Sequence, residues 1–367
     1  MTGALHGLKV LEFGSIGPAP FGVMMLADHG ADVVRVDRRG AFASVTPAGD
    51  AREELLHRNR RSIALDLKTD EDRETARRLA GAADVLVEGN RPGVMERLGL
   101  GPEVLMADNP RLVYARMTGW GQTGPYAGRV GHDINYLSIS GTLSLIGAKG
   151  APPTIPLALL GDFGGGGTFL AFGIMAALWE RERSGSGQVI DASILGGATL
   201  LATAFHGYRQ TGGWSSDRED NLVDGGAPFY AVYETADRQW ISVGALEPAF
   251  YAELLAVLGV DPATVPAQDD RQSWFALKKR FAAIVALRTR DEWVAAAEGT
   301  NACLTPVLTL EEARADPQVV ARGGFEQEGG LHQPAPAPLL GRTPAARRTL
   351  PPRPGEHAAD ILTDWLG

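Results

Sequence analysis

Through the first half of the chain, short apolar runs rich in β-branched residues alternate with segments of helical period. Residues 8–13 (LKVLEF) and 31–36 (ADVVRV) read as strands on either side of a helical stretch at 19–28. Residues 62–67, 83–88 and 112–117 continue the strand series, with helical segments such as 71–79 between some of them. Strands separated by helices predict an α/β fold with a doubly wound parallel sheet, because each parallel connection must cross a face of the sheet. Residues 168–183 read as a buried apolar helix, closed by Ser184-Gly185-Ser186-Gly187, and 188–192 as a further strand.

Beyond that point the pattern changes. Residues 196–227 are irregular and glycine-rich (GGWSS, DGGAP), as a linker would be. Residues 229–234 and 239–243 pair as a hairpin around Ala236-Asp237, and helices are expected at 248–258, 271–286 and 290–299. The expected organisation is a large domain at 1–195 completed by 333–367, a linker at 196–227, a small α+β domain at 228–315 and a return linker at 316–332. The proline- and arginine-rich stretch 333–355 reads as an extended strap over the first domain.

Composition sharpens this picture. The 367 residues are 44% hydrophobic and 22% charged, close to globular norms, which excludes a disordered or fibrous chain. The 46 glycines and 23 prolines exceed the usual combined share of roughly 12% and have no collagen period, which points to turns and close backbone approaches. A net charge of −9 repels nucleic acid. Arginines nevertheless cluster at Arg35, Arg38, Arg39, Arg52, Arg58, Arg60 and Arg61, either as a solvated surface or as a pocket for a small polyphosphate.

The single cysteine, Cys303, forbids an internal disulfide and reads as a buried residue. The longest apolar stretch, 168–179, falls short of the roughly 20 residues of a membrane span, and the N-terminus lacks a signal-peptide pattern. These features predict a soluble cytoplasmic protein without membrane insertion. The first turn, Gly14-Ser15-Ile16-Gly17, lacks the third glycine of a dinucleotide fingerprint. No Walker lysine follows Gly164–Gly167, and no metal-ligand spacing is present.

Three places can do chemistry. His132 lies in the polar, turn-like stretch Gly131-His132-Asp133-Ile134-Asn135-Tyr136, and a histidine suits reversible proton transfer near neutrality. Asp162 precedes four glycines and an apolar helix. It caps that helix or faces a ligand that meets bare backbone at Gly164–Gly167, with N–H groups near Asp162 and Phe163 as candidates for an oxyanion. Glu247 follows a strand and precedes Pro248, which opens a helix.

Taken together, LKVLEFGSIGPAPFGVMMLADHGADVVRVDR, RNRRSIALDLK, EGNRPGVMERLGLG, ARMTGWGQTGPYAGRVGHDINY, GDFGGGGTFLAFGIMAALWER and VGALEPAFY resemble the class III CoA-transferase superfamily, and within it the α-methylacyl-CoA racemases. The resemblance implies a large Rossmann-like domain, a smaller domain and an interlocked homodimer. It implies an acyl-CoA substrate with no other cofactor and no metal, coenzyme A being part of the substrate. Arg38, Leu65, Asp66, Leu67 and Lys68 would meet the nucleotide, with Gly89, Asn90, Arg91 and Arg97 continuing the site. Gly131, His132, Asp133, Ile134, Asn135 and Tyr136 would reach the thioester.

His132 and Asp162 match the family's acid/base pair, and Glu247, from the partner subunit, would orient the imidazole. One departure stands out: Ala158 occupies the position, four before the aspartate, where racemases are expected to carry asparagine. The alternatives are CoA transfer with Asp162 as covalent nucleophile, and a non-catalytic acyl-CoA-binding protein.

Overall fold

The computed structural model describes residues 3–40, 50–345 and 349–367. Two compact units divide the chain, one formed by residues 1–142, 156–202 and 318–367, the other by 143–155 and 203–317.

The first unit is built on a parallel sheet of β1 (Lys9–Phe13), β2 (Asp32–Arg38), β3 (Arg60–Leu65), β4 (Val85–Glu88), β5 (Val113–Thr118) and β6 (Val189–Ser193), in the order β3-β2-β1-β4-β5-β6. Val10 of β1 sits opposite Val33 of β2 and Val85 of β4. Successive side chains of a strand point to opposite faces, so Val10, Val33, Val85 and Val113 feed one core while Leu11, Val34, Leu86 and Tyr114 feed another. Burial on both faces explains why these strands read as continuous apolar runs rather than alternating ones.

Helices α1 (Pro18–Asp28) and α2 (Asp70–Gly81) follow β1 and β3. Proline at the first position of α1 presets its φ, and the Thr69 hydroxyl caps α2 by accepting from the Asp72 N–H. Further along lie α3 (Pro102–Asp108), α4 (Asp133–Ser140), α5 (Thr168–Ser184) and α6 (Ile194–Leu201). Here the structure departs from the sequence reading. Residues Leu159–Gly167 form a π-helical segment that runs into α5. The continuous helix Leu159–Ser184 has 26 residues, long and apolar enough by length and composition to cross a membrane, where the sequence pattern had stopped short. One face of it, Leu170, Ile174, Ala177 and Leu178, is committed to the sheet core; Phe172, Met175 and Trp179 are exposed.

The stretch 196–227 is not wholly irregular either. It carries most of α6 and all of α7 (Thr203–Gln210). Gly196 and Gly197 lie inside α6, where the small residue admits a neighbouring backbone: a Cβ on Gly197 would fall 1.8 Å from the Gly165 carbonyl oxygen.

The second unit holds an antiparallel sheet of β7 (Tyr230–Glu234), β8 (Trp240–Gly244) and β9 (Leu304–Pro306) with α8 (Pro248–Val257), α9 (Trp274–Val285) and α10 (Arg290–Ala297). Its core gathers Phe229, Tyr233, Ile241, Leu254, Phe281 and Trp293. Cys303, expected to be buried, is exposed, in a tight approach to β9 with φ of 50°.

The chain then returns to the first unit through the hairpin β10 (Phe325–Glu328) and β11 (Leu331–Pro334) and ends in α11 (Ala358–Leu366). Arg58 donates to the Pro334 carbonyl at 2.9 Å, Thr349 N–H to Asn59 Oδ1 at 2.7 Å and Gly355 N–H to Ser62 Oγ at 2.9 Å.

Most of the early arginines are spent on these internal contacts. Arg35 pairs with Glu12 and Asp37, Arg60 with Glu12, and Arg58 with Asp28, all buried. Arg61 pairs with Asp32, Arg39 with Asp72 and Arg52 with Glu356. A buried guanidinium must find a carboxylate, and the cluster is chiefly that, not a phosphate pocket.

Candidate active site

In the order β3-β2-β1-β4-β5-β6 the direction of winding reverses between β1 and β4. Connections from two neighbouring strands then leave to opposite faces, opening a crevice at their carboxyl ends. A cavity of about 410 Å³ lies there, lined by Ile16–Ala19 after β1, Gly89–Pro92 after β4, Met117–Trp120 at the end of β5, and Ile194 after β6. Ala127, Arg129–His132, Tyr136 and Asp162 complete the wall.

His132 enters this cavity as the residue that opens α4. Its extended backbone is held by Asn135, whose Oδ1 accepts the His132 N–H at 3.0 Å, so Asn135 works as a helix-start clamp. Tyr136 donates its hydroxyl proton to the Gly131 carbonyl, and its ring meets Trp120 edge-on at 4.6 Å. Gly119 and Gly131 are small of necessity: a Cβ at either would lie 2.0 Å or 2.9 Å from that ring.

Asp162 reaches the same cavity from the π-helical segment. Its carboxyl is pushed up from 3.8 to about 6, first by burial, then by the nearby Asp133 carboxylate, with His132 opposing. Gly17, at φ 73°, lets the backbone pass the carboxyl; a Cβ there would stand 3.0 Å from Asp162 Oδ2.

The glycine run beside Asp162 has another purpose than the one read from the sequence. A Cβ on Gly165 would meet the Ala198 nitrogen of α6 at 2.8 Å, and on Gly166 or Gly167 it would meet Pro18 of α1. These glycines let three helices pack backbone to backbone. The Asp162 N–H is taken by Asp133 Oδ1 at 2.7 Å and the Phe163 N–H by the Ala158 carbonyl at 3.0 Å. Neither is open to an oxyanion. In exchange, Ala158 serves through its carbonyl as the acceptor that starts the π-helical segment.

Of the other expected site residues, Gly89, Asn90, Arg91, Gly131 and Tyr136 line the cavity with His132 and Asp162. Arg38, Leu65, Asp66, Leu67, Lys68 and Arg97 do not, yet Arg38 and 65–68 stand at the carboxyl ends of β2 and β3 on the same edge of the sheet. Asp66 is partly spent: its N–H donates to Asp72 Oδ2 at 2.6 Å. Asp133 turns its carboxylate to the Asp162 backbone, and Ile134 and Asn135 are exposed on the first turn of α4. Glu247 is exposed at the start of α8 in the second unit. Ile16–Ala19 and Met117–Trp120 were missed by sequence reasoning, although their place directly after strands was a usable signal. Among the described residues, no group of three or more His, Cys, Asp or Glu is placed to hold a metal.

Residues 5–358 match the model of CoA-transferase family III. The chain belongs to that family. An alpha-methylacyl-CoA racemase of Mus musculus is 47% identical over 98% of this chain and 93% of its own, and one of Homo sapiens is 45% identical over 99% and 93%. The family is chemically mixed, for a succinyl-CoA–D-citramalate CoA-transferase of Chloroflexus aurantiacus is 32% identical over 99% and 94%. A CaiB/BaiF family protein from Brucella suis superposes with a TM-score of 0.86 at 27% identity, covering 100% of both chains. The family-III fold explains why the dinucleotide-type strand order occurs here without the dinucleotide glycines.

Proposed function

We propose that the chain is a racemase or epimerase of 2-methylacyl-CoA thioesters. It would work by two-base proton transfer at the carbon next to the thioester carbonyl. The observation that carries this reading is the presence of His132 and Asp162 on the wall of one cavity, in a chain 47% identical to a protein named for that activity. One base takes the α proton and the C–H electron pair moves onto the carbonyl oxygen as an enolate. The other base then returns a proton to the opposite face. Inversion needs an acid and a base in both directions, and a carboxyl near 6 can serve as either near neutrality. No further cofactor is required, coenzyme A being part of the substrate.

With the amides of Asp162 and Phe163 occupied, the enolate oxygen is assigned to the first-turn N–H groups of α4, at Asp133 and Ile134. Such groups lack an intrahelical acceptor and carry the positive end of the helix dipole. The CoA nucleotide is assigned to the sheet edge formed by Arg38, Leu65, Asp66, Leu67 and Lys68, continued by Gly89, Asn90, Arg91 and Arg97. In the homodimer we propose, Glu247 of a second copy would orient the His132 imidazole.

Incubation of a 2-methylacyl-CoA in D2O tests the reading. Deuterium should enter C2 with loss of optical purity, and His132→Ala or Asp162→Ala should slow inversion by about 10²–10⁴-fold, the usual worth of a general base. Absence of C2 deuterium, or an acyl-enzyme trapped by hydroxylamine at Asp162, would overturn it in favour of CoA transfer.

A further inference from the structure

Asp133 moves no proton in the racemisation, which uses its backbone N–H alone. Its carboxylate nevertheless ties the two bases together. It follows His132 directly in sequence, and its Oδ1 accepts the Asp162 N–H at 2.7 Å. The fit is specific at Gly161: a Cβ there would lie 2.1 Å from the same oxygen, so only glycine passes beneath it. The second oxygen, Oδ2, is buried and has no hydrogen-bond partner among the described residues. Burial pushes the Asp133 carboxyl up even though the amides of Asp162 and Gly161 act to lower it. A half-satisfied buried carboxylate costs stability, and its position links the turn that bears His132 to the backbone that bears Asp162.

We propose that Asp133 is a positioning residue of this site, whose carboxylate sets the registry of the His132 and Asp162 side chains on the two faces of the bound acyl carbon. The inference rests on the racemase reading. It also has an electrostatic side. The charged or titratable groups facing Asp162 are His132, Asp133 and Tyr136, all from the start of α4. The residues of α1 and α6 set against the glycine run beside it, Pro18, Phe21, Ile194, Ala198 and Leu201, carry no charge. Of the three, Asp133 is the one that raises the Asp162 carboxyl.

Exchange and inversion can be measured separately on the enantiomer whose α proton faces His132. Removing and returning a proton at His132 alone gives C2 exchange with retention; inversion needs Asp162 in register. Asp133→Ala should therefore keep most of the C2 deuterium exchange, while inversion falls about 10²-fold, the scale of an ångström-sized misplacement. Asp133→Asn retains an acceptor oxygen but not the charge. Its exchange-to-inversion ratio should stay near wild type, and the limb of its pH profile governed by Asp162 should move to lower pH, because a like charge has been removed. A loss of exchange and inversion in equal proportion in Asp133→Ala, or an unmoved limb in Asp133→Asn, would overturn the proposal. If the alanine variant does not fold, the asparagine variant still decides. No C2 exchange in the wild-type enzyme would be a different failure, that of the racemase reading itself.

Discussion

At the scale of single residues, a group tuned for proton transfer is a group held at a cost. The Asp162 carboxyl is raised from 3.8 to about 6, so the folded state holds a proton that the unfolded chain has already released between those values. Stability contributed by the protonated form is complete below about pH 4 and is lost as pH rises through about 6. Asp162→Asn removes that titration. The variant should be the more stable by on the order of 1 kcal/mol at pH 7.5, a figure reduced because water reaches part of the group. The gain should vanish near pH 4. Thermal melts of both proteins across that range measure it, and a gain that persisted at pH 4 would refute the argument. His132 and Asp162 were legible in the sequence because polar residues in a turn and an aspartate before a glycine run are locally unusual. Gly161 was not, since the oxygen that forbids a side chain there belongs to Asp133, remote in sequence.

Elements show the same division. The strands β1, β2, β4 and β5 could be read from the chain because a parallel sheet covered on both faces needs largely apolar runs, and Val10 and Leu11 feed opposite cores. The glycines of 164–167 and 196–197 were read as ligand-facing backbone and linker. Gly165, Gly166, Gly167 and Gly197 are helix-packing residues, and sequence has no mark that separates a glycine needed for a turn from one needed for a close crossing. Gly197 carries the sharpest constraint, with 1.8 Å between an added Cβ and the Gly165 oxygen. Gly197→Ala should force α6 away from the π-helical segment, costing about 1–3 kcal/mol by overpacking. Because Asp162 rides on that segment, inversion should fall more than substrate binding. Gly207, in α7, has open space around its Cβ position, and Gly207→Ala provides the control, expected to be neutral or slightly stabilising in a helix. Equal effects at the two positions in a denaturant titration would contradict the packing account.

For the molecule as a whole, the decisive fact is that the chain's last segment completes its first unit. The arginine cluster near the start reads in sequence as a solvated surface or a polyphosphate pocket because the carboxylates that answer it are dispersed, at Glu12, Asp28, Asp32, Asp72 and Glu356. Arg58 is bound between Asp28 of α1, the Gln333 side chain and the Pro334 carbonyl of β11. Ile361 and Trp365 are buried in the core beneath β2 and β3, and the Trp365 indole donates to Asp32 at 2.8 Å. A chain cut after Gly330 loses the Gln333, Pro334, Ile361 and Trp365 contacts at once and leaves the Arg58 guanidinium, still paired with Asp28, short of two acceptors, and buried donors left without partners are costly. The second unit keeps its own core, including Phe229, Phe281 and Trp293. Hydrogen exchange on the truncated chain should therefore show β2 and β3 losing protection by at least a hundredfold, while β7 and β8 keep theirs, since local opening follows the contacts that each unit retains. Unchanged protection on β3 would mean that the return segment only covers the first unit. Loss of protection on β7 as well would mean that the two units unfold together.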